Sequence, residues 1–269
     1  MNDTSGSAMA MRRPPQIPPA GKLTSLSSVF RRVKAEIRSR IEGARLQRRV
    51  EQGFRLVPER ELEICYEHVI RRLQAEAGGE PLGDYLEFGV CHGASMACMH
   101  RVAGALGLRD IRYVGFDSFA GLPPEADEPE EGPWRRGYYR STRGFTEQFL
   151  TDAGIDWKRT TLIEGWFDDT LTEETRQRHH LRKAGVIMID CDLYSSARRA
   201  LDFCAPLIVE RAVILFDDWH AANLAARGLG EKRAFDEFLA ANPDFAAERL
   251  AGYTKNAEVF LVRRSAGSR

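Results

Sequence analysis

Short apolar runs alternating with segments of helical spacing restrict the fold of this sequence more than any other feature. The runs are Tyr85–Val90, Tyr113–Phe116, Thr161–Ile163, Val186–Ile189, Ala212–Phe216 and Val259–Val262. Between them, residues 94–107, 143–153, 168–180, 195–210 and 231–240 carry helical periodicity. Repeated strand–helix units build a mostly parallel sheet with helices on both faces. The expectation is a doubly wound, Rossmann-like α/β domain over residues 56–265. Ligands of such sheets sit beyond the carboxyl ends of the strands, near the reversal in strand order.

The N-terminal segment reads differently. Residues 1–22 are rich in Ser, Pro, Gly and Ala, with Pro14, Pro15, Pro18 and Pro19 close together, which predicts a disordered tail. From Leu26 onward, Val29, Phe30, Val33, Ile37 and Ile41 keep helical spacing after the potential caps Ser27 or Ser28. They form one face of an amphipathic arm spanning 23–55. The opposite face carries Arg31, Arg32, Lys34, Arg38, Arg40, Arg45, Arg48 and Arg49. Such a helix can lie on a membrane or a nucleic acid, or pack on its own domain or a second subunit. Charge decides between these. Lys plus Arg and Asp plus Glu number 39 each, so the chain lacks the basic excess of a phosphate-binding protein. An arm serving a homo-oligomer is expected, with no nucleic-acid and no membrane partner. Pro58 then opens a second helix, through Leu62, Ile64, Cys65, Val69 and Leu73 to Gly78–Gly79. The five cysteines show no C-x-x-C pair, and no run reaches membrane-spanning or signal-peptide character. Reduced thiols and a cytoplasmic location are the expectation.

The strand ends carry the chemistry. The first strand leads into Glu87-Phe88-Gly89-Val90-Cys91-His92-Gly93-Ala94-Ser95. Gly89 and Gly93 permit a tight turn over a helix N-terminus, where backbone can approach a ligand. The dinucleotide fingerprint G-x-G-x-x-G is not met. Glu87 would repel a pyrophosphate but suits a cofactor with a cationic amino group, such as S-adenosylmethionine. After the second strand, Asp117-Ser118 offers a carboxylate for two ribose hydroxyls. After the third, Gly165-Trp166-Phe167 offers a turn and an aromatic for adenine. Each turn alone also has a purely structural reading. Taken in strand order, they point to a nucleoside cofactor.

The fourth strand delivers Asp190-Cys191-Asp192 and the fifth Asp217-Asp218-Trp219-His220. Adjacent parallel strands would bring Asp190, Asp217 and Asp218 to one sheet edge, where mutual repulsion requires protons or a divalent cation. All-oxygen ligation suits magnesium, with manganese also admissible. The competing reading makes these acids helix caps, a role that fits Asp192 best. His220 is a general base, a metal ligand or a bystander. His92 and the pair His179–His180 are not expected to be catalytic. Tyr138, Tyr139 and Arg140 belong to a loop, 121–143, that is either a lid over substrate, for which it is long enough, or a merely solvated loop.

Five segments together resemble the macrocin O-methyltransferase family. They are Gly83-Asp84-Tyr85-Leu86-Glu87-Phe88-Gly89-Val90, Phe116-Asp117-Ser118-Phe119-Ala120-Gly121-Leu122-Pro123, Ile189-Asp190-Cys191-Asp192-Leu193-Tyr194-Ser195-Ser196, Phe216-Asp217-Asp218 and Gly230-Glu231-Lys232-Arg233-Ala234-Phe235-Asp236-Glu237-Phe238. Members methylate sugar hydroxyls in macrolide and aminocoumarin antibiotics. The resemblance implies a class I S-adenosylmethionine-dependent methyltransferase fold, Asp190, Asp217 and Asp218 as magnesium ligands, and Asp190 as base. It also implies an oligomer whose N-terminal helices help close the site, and a small glycoside as substrate. Where the family usually has Trp-Arg-Gly-Gly, this chain has Cys91-His92-Gly93-Ala94. Two other readings stay open at this point: a nucleotide-dependent oxidoreductase of related fold, and a non-catalytic assembly protein.

Overall fold

The computed structural model describes residues 26–265, with side chains from residue 33 onward. The expected tail 1–22 and the side chains of Ser27, Ser28, Val29, Phe30, Arg31 and Arg32 lie outside the described residues. A long helix, α1, spans Leu26–Glu51, and α2 spans Glu59–Ala77. Pro58 precedes α2, and Gly78 ends it in the left-handed conformation at φ 61°. Five parallel strands follow: β1 (Asp84–Phe88), β2 (Tyr113–Asp117), β3 (Thr160–Glu164), β4 (Ala184–Ile189) and β5 (Arg211–Phe216). The crossovers carry α3 (Ala94–Ala105), α4 (Arg143–Asp152), α5 (Phe167–Thr170), α6 (Glu173–Arg178) and α7 (Tyr194–Cys204). After α8 (Gly230–Ala241), a hairpin of β6 (Phe245–Leu250) and β7 (Glu258–Arg264) closes the sheet.

The strand order is β3-β2-β1-β4-β5-β7-β6, and β7 runs antiparallel to β5. Apolar side chains pack both faces. One layer sets Leu62, Val69 and Leu73 of α2 and Met96 and Met99 of α3 against Tyr85, Val186 and Val213. The other sets Ala197 and Leu201 of α7 and Ala234 and Phe238 of α8 against Leu86, Ile187 and Ile214. Strands buried on both faces read as mostly apolar runs, which made β2, β4 and β5 visible in the sequence, and β1 as well despite its buried Asp84 and Glu87.

Two expectations need correction. The helix expected over 168–180 is interrupted. Thr172 accepts the Thr175 N–H at 3.2 Å and starts α6 afresh, separating it from α5. Strand β6 was not expected at all. It lies at the sheet edge, pairs only with β7, and buries only Phe245 of its six residues. Its sequence, Phe-Ala-Ala-Glu-Arg-Leu, therefore needs no apolar run.

Candidate active site

The order of β2, β1, β4 and β5 reverses between β1 and β4, and there the turn after β1 meets the end of β4. Gly89 adopts φ 94°, and a Cβ at this position would stand 1.7 Å from the Asp190 carbonyl oxygen. No other residue fits so close to that backbone. A cavity of about 550 Å³ opens over the carboxyl ends of β1 to β5. Its floor includes Asp117, the last residue of β2, and Gly89, Cys91, Gly165, Asp190 and Asp217 from the turns that follow their strands.

At the end of β2, both Asp117 oxygens are oriented by backbone. Oδ2 accepts the Cys91 N–H at 2.8 Å and Oδ1 accepts the Phe119 N–H at 2.6 Å. The carboxylate is thereby fixed at the cavity wall with lone pairs to spare. Burial raises its pKa despite these donors. Ser118 lines the cavity too, but its Oγ accepts the Ala120 N–H and donates to the Gly121 carbonyl, shaping the turn. Gly165, Trp166 and Phe167 form the wall beyond β3, with Trp166 38% exposed.

Five expected cofactor residues lie behind this wall: Glu87, Phe88, Val90, Gly93 and Ser95 are not among the lining residues. Glu87 was expected to face a cationic ligand, but it is fully buried among α2 and α3 side chains. Strand alternation sends it to the same face as Tyr85. There its carboxyl accepts hydrogen bonds from Tyr85 Oη at 2.7 Å and Ser95 Oγ at 2.5 Å. Burial pushes its pKa up to about 7. Phe88 stacks on Phe116 in the opposite layer.

The acids behave as their spacing suggests. Asp190, Asp217 and Asp218 each bring one carboxylate oxygen within 4.8 Å of the others. Burial raises the pKa of all three. Asp190 is further raised by repulsion from Asp217 and Asp218. Asp192 belongs to the same wall, with φ 64°, and burial together with repulsion from Asp218 raises its pKa. Three carboxylates with this geometry fit a small hard cation.

His220 takes no part in the cavity lining. Trp219 turns inward onto Phe216 and Phe235, and His220 is left at the surface, its Nε2 3.3 Å from Glu258 Oε2. Nothing in the local sequence signals that displacement, nor two residues behind the acids. Tyr253 donates its hydroxyl to Asp217 Oδ1. Glu231, 1% exposed, accepts the Asp218 N–H at 3.1 Å. Leu56 and Val57, in the link between α1 and α2, also line the cavity, as does Arg199, which pairs with Asp168.

The loop 121–143 covers one side. It contains short 3-10 turns at Pro124–Asp127 and Pro129–Glu131. Trp134 Nε1 donates to the Asp192 carbonyl at 3.1 Å, and the Glu131 carboxylate accepts the Ser195 N–H at 3.2 Å. Leu122 and Ala126 pack on Leu193. The arm holds the other side of this loop: Arg140 bonds Glu36 at 2.9 Å, and Ser39 Oγ reaches the Ala120 carbonyl at 3.4 Å. Where the family has Trp and Arg, Cys91 lines the cavity and donates to the Tyr139 carbonyl at 3.3 Å, while His92 is buried.

This sheet, with its antiparallel β7 and its cavity over the β1–β5 ends, defines a class I S-adenosylmethionine-dependent methyltransferase fold. Two solved structures share it. The O-methyltransferase NovP is 22% identical, with 77% of this chain and 79% of that one covered at a TM-score of 0.60. CalS11, a calicheamicin methyltransferase, is 19% identical, with 95% and 99% covered at a TM-score of 0.61. Residues 36–241 match the macrocin-O-methyltransferase (TylF) family, and the chain belongs to it. A relative from Streptomyces olivaceus, 8-demethyl-8-(2,3-dimethoxy-alpha-L-rhamnosyl)-tetracenomycin-C 4'-O-methyltransferase, is 30% identical over 165 residues. That match spans 59% of this chain and 58% of the relative.

Proposed function

We propose that this chain is an S-adenosylmethionine- and divalent-metal-dependent O-methyltransferase acting on a sugar hydroxyl of a glycosylated small molecule. One observation carries the reading: a single cavity joins the Asp117 and Gly165–Trp166 walls to the acidic trio. The named activity of the Streptomyces olivaceus relative, on a rhamnosyl-bearing compound, supports a glycoside acceptor.

In this reading Asp117 accepts hydrogen bonds from the two ribose hydroxyls, Trp166 and Phe167 flank the adenine, and Gly89 lets the cofactor approach the backbone. Glu87, Phe88, Val90, Gly93 and Ser95 shape the turn from behind. Bound S-adenosylmethionine supplies an electrophilic methyl group. Asp190, Asp217 and Asp218 would hold magnesium or manganese, which when bound supplies Lewis acidity toward the acceptor hydroxyl. Asp190 sits beside Gly89 and so borders both halves of the cavity. It accepts the hydroxyl proton on its carboxylate, while the lid residues Tyr138 and Tyr139 exclude water. His220, facing Glu258, is left without a part in proton transfer.

The arm favours self-association over membrane docking. Its inner face grips the lid, and Val33, Ile37 and Ile41 remain 49%, 53% and 47% exposed on its outer face. None of the helices described is long and apolar enough to cross a membrane. A cytoplasmic homo-oligomer fits these features. The activity is tested by transfer of labelled methyl from S-adenosylmethionine to glycosides of the native extract, with chelator and then with added magnesium. Metal-dependent labelling of a glycoside is expected. Full turnover in excess chelator would remove the cation from the mechanism.

A further inference from the structure

Asp217 has two carboxylate oxygens, and a cation site needs one of them aimed at its neighbours. Tyr253 supplies the constraint. It lies in the turn between β6 and β7, is 7% exposed, and directs its hydroxyl at Asp217 Oδ1. The turn is itself fixed: Thr254 Oγ1 accepts the N–H groups of Asn256 at 3.1 Å and Ala257 at 3.0 Å. The Asn256 carbonyl accepts the His220 N–H at 2.9 Å, tying the turn to the segment that carries the acids. A phenol donates one hydrogen. With that hydrogen on Oδ1, the carboxylate cannot rotate freely, and Oδ2 remains for other use.

We propose that Tyr253 is a positioning residue of the cation site, acting through Asp217. The inference rests on the metal reading above. Its role is the one outer partners of metal-bound carboxylates play generally, orienting the ligand before the ion arrives. Nothing in the local sequence marks it, because the contact joins residues 36 positions apart through a hairpin whose outer strand lacks an apolar run.

The test is manganese affinity, measured by electron paramagnetic resonance and calorimetry on the full chain without acceptor. Tyr253→Phe keeps the ring and its packing and removes only the hydroxyl. It should weaken manganese binding roughly 10- to 100-fold, with S-adenosylmethionine affinity unchanged. Tyr66→Phe is the matched control. It removes another buried tyrosine hydroxyl, one bonded to Tyr85 at 2.9 Å and not to any of the three acids, and it should leave manganese affinity intact. In the background of Asp217→Asn, Tyr253→Phe should cost little more, since the two act as one unit. Wild-type manganese affinity in Tyr253→Phe, an equal loss in Tyr66→Phe, or full additivity with Asp217→Asn would each overturn the positioning role. Wild-type protein that binds no manganese would instead overturn the metal reading on which it stands.

Discussion

His92 offers a stability test that needs neither substrate nor cofactor. Its ring is 2% exposed, lies edge-on to Phe149 with centroids 5.0 Å apart, and has no hydrogen-bond partner at Nδ1 or Nε2. Burial, with the nearby Arg55 adding to it, holds its pKa down to about 4. In the unfolded chain an imidazole titrates near ~6.5. The unfolded state therefore takes up the proton first. The stability linked to neutral His92 is complete above pH ~6.5 and is lost as pH falls through about 4. A gap of roughly 2.5 units corresponds to about 3 kcal/mol in all, of which about 2 kcal/mol falls between pH 7 and pH 4.5. Glu87 works in the opposite direction. Its raised pKa of about 7 means that stability is lost as pH rises from ~4.5, the ordinary value of this group, through about 7. Comparison of wild type with His92→Leu, both carrying Glu87, cancels that contribution. Urea denaturation at pH 7 and pH 4.5 should show wild type losing about 2 kcal/mol more than the variant. Parallel losses in the two proteins would refute the claim that His92 is held neutral by burial.

Three further outcomes are expected. Asp117→Asn, which keeps one carbonyl acceptor for the turn, should weaken S-adenosylmethionine in calorimetry and leave manganese binding unchanged; unaltered cofactor affinity would remove Asp117 from the cofactor wall. Asp190→Asn should lower kcat more than Asp217→Asn or Asp218→Asn, and high magnesium should rescue the latter two in part, because in the proposed mechanism Asp190 alone combines ligand and base; equal rescue of all three would argue against Asp190 as base. Deleting residues 23–55 removes the Glu36–Arg140 and Ser39–Ala120 contacts and the exposed Val33, Ile37 and Ile41, so both oligomer mass in sedimentation and turnover should fall. A truncated protein of unchanged mass class and activity would count against the arm.

Sequence by itself determined the parallel sheet and the chemical content of its carboxyl edge. Strands buried on both faces are mostly apolar, so β2, β4 and β5 announce themselves and β1 does so despite its buried Asp84 and Glu87, and the residues at their carboxyl ends sit at the ligand-binding edge by topology. Asp117, Asp190, Asp217 and Asp218 were legible for that reason, and Pro58 and Gly78 marked the ends of α2 by their own backbone preferences. Tertiary structure decided what depends on direction and on distant partners. Alternation along β1 turned Glu87 into the α2–α3 layer, where Tyr85 and Ser95 satisfy it, instead of toward the cofactor. The inward swing of Trp219 carried His220 out of the cavity. The edge hairpin brought Tyr253 to Asp217, and α8 brought Glu231 to the Asp218 backbone. Local periodicity encodes which face of an element is buried, but it does not encode which element lies opposite. The contacts that orient the acids arise only when the antiparallel β7 returns along β5 and sets the β6–β7 turn beside them.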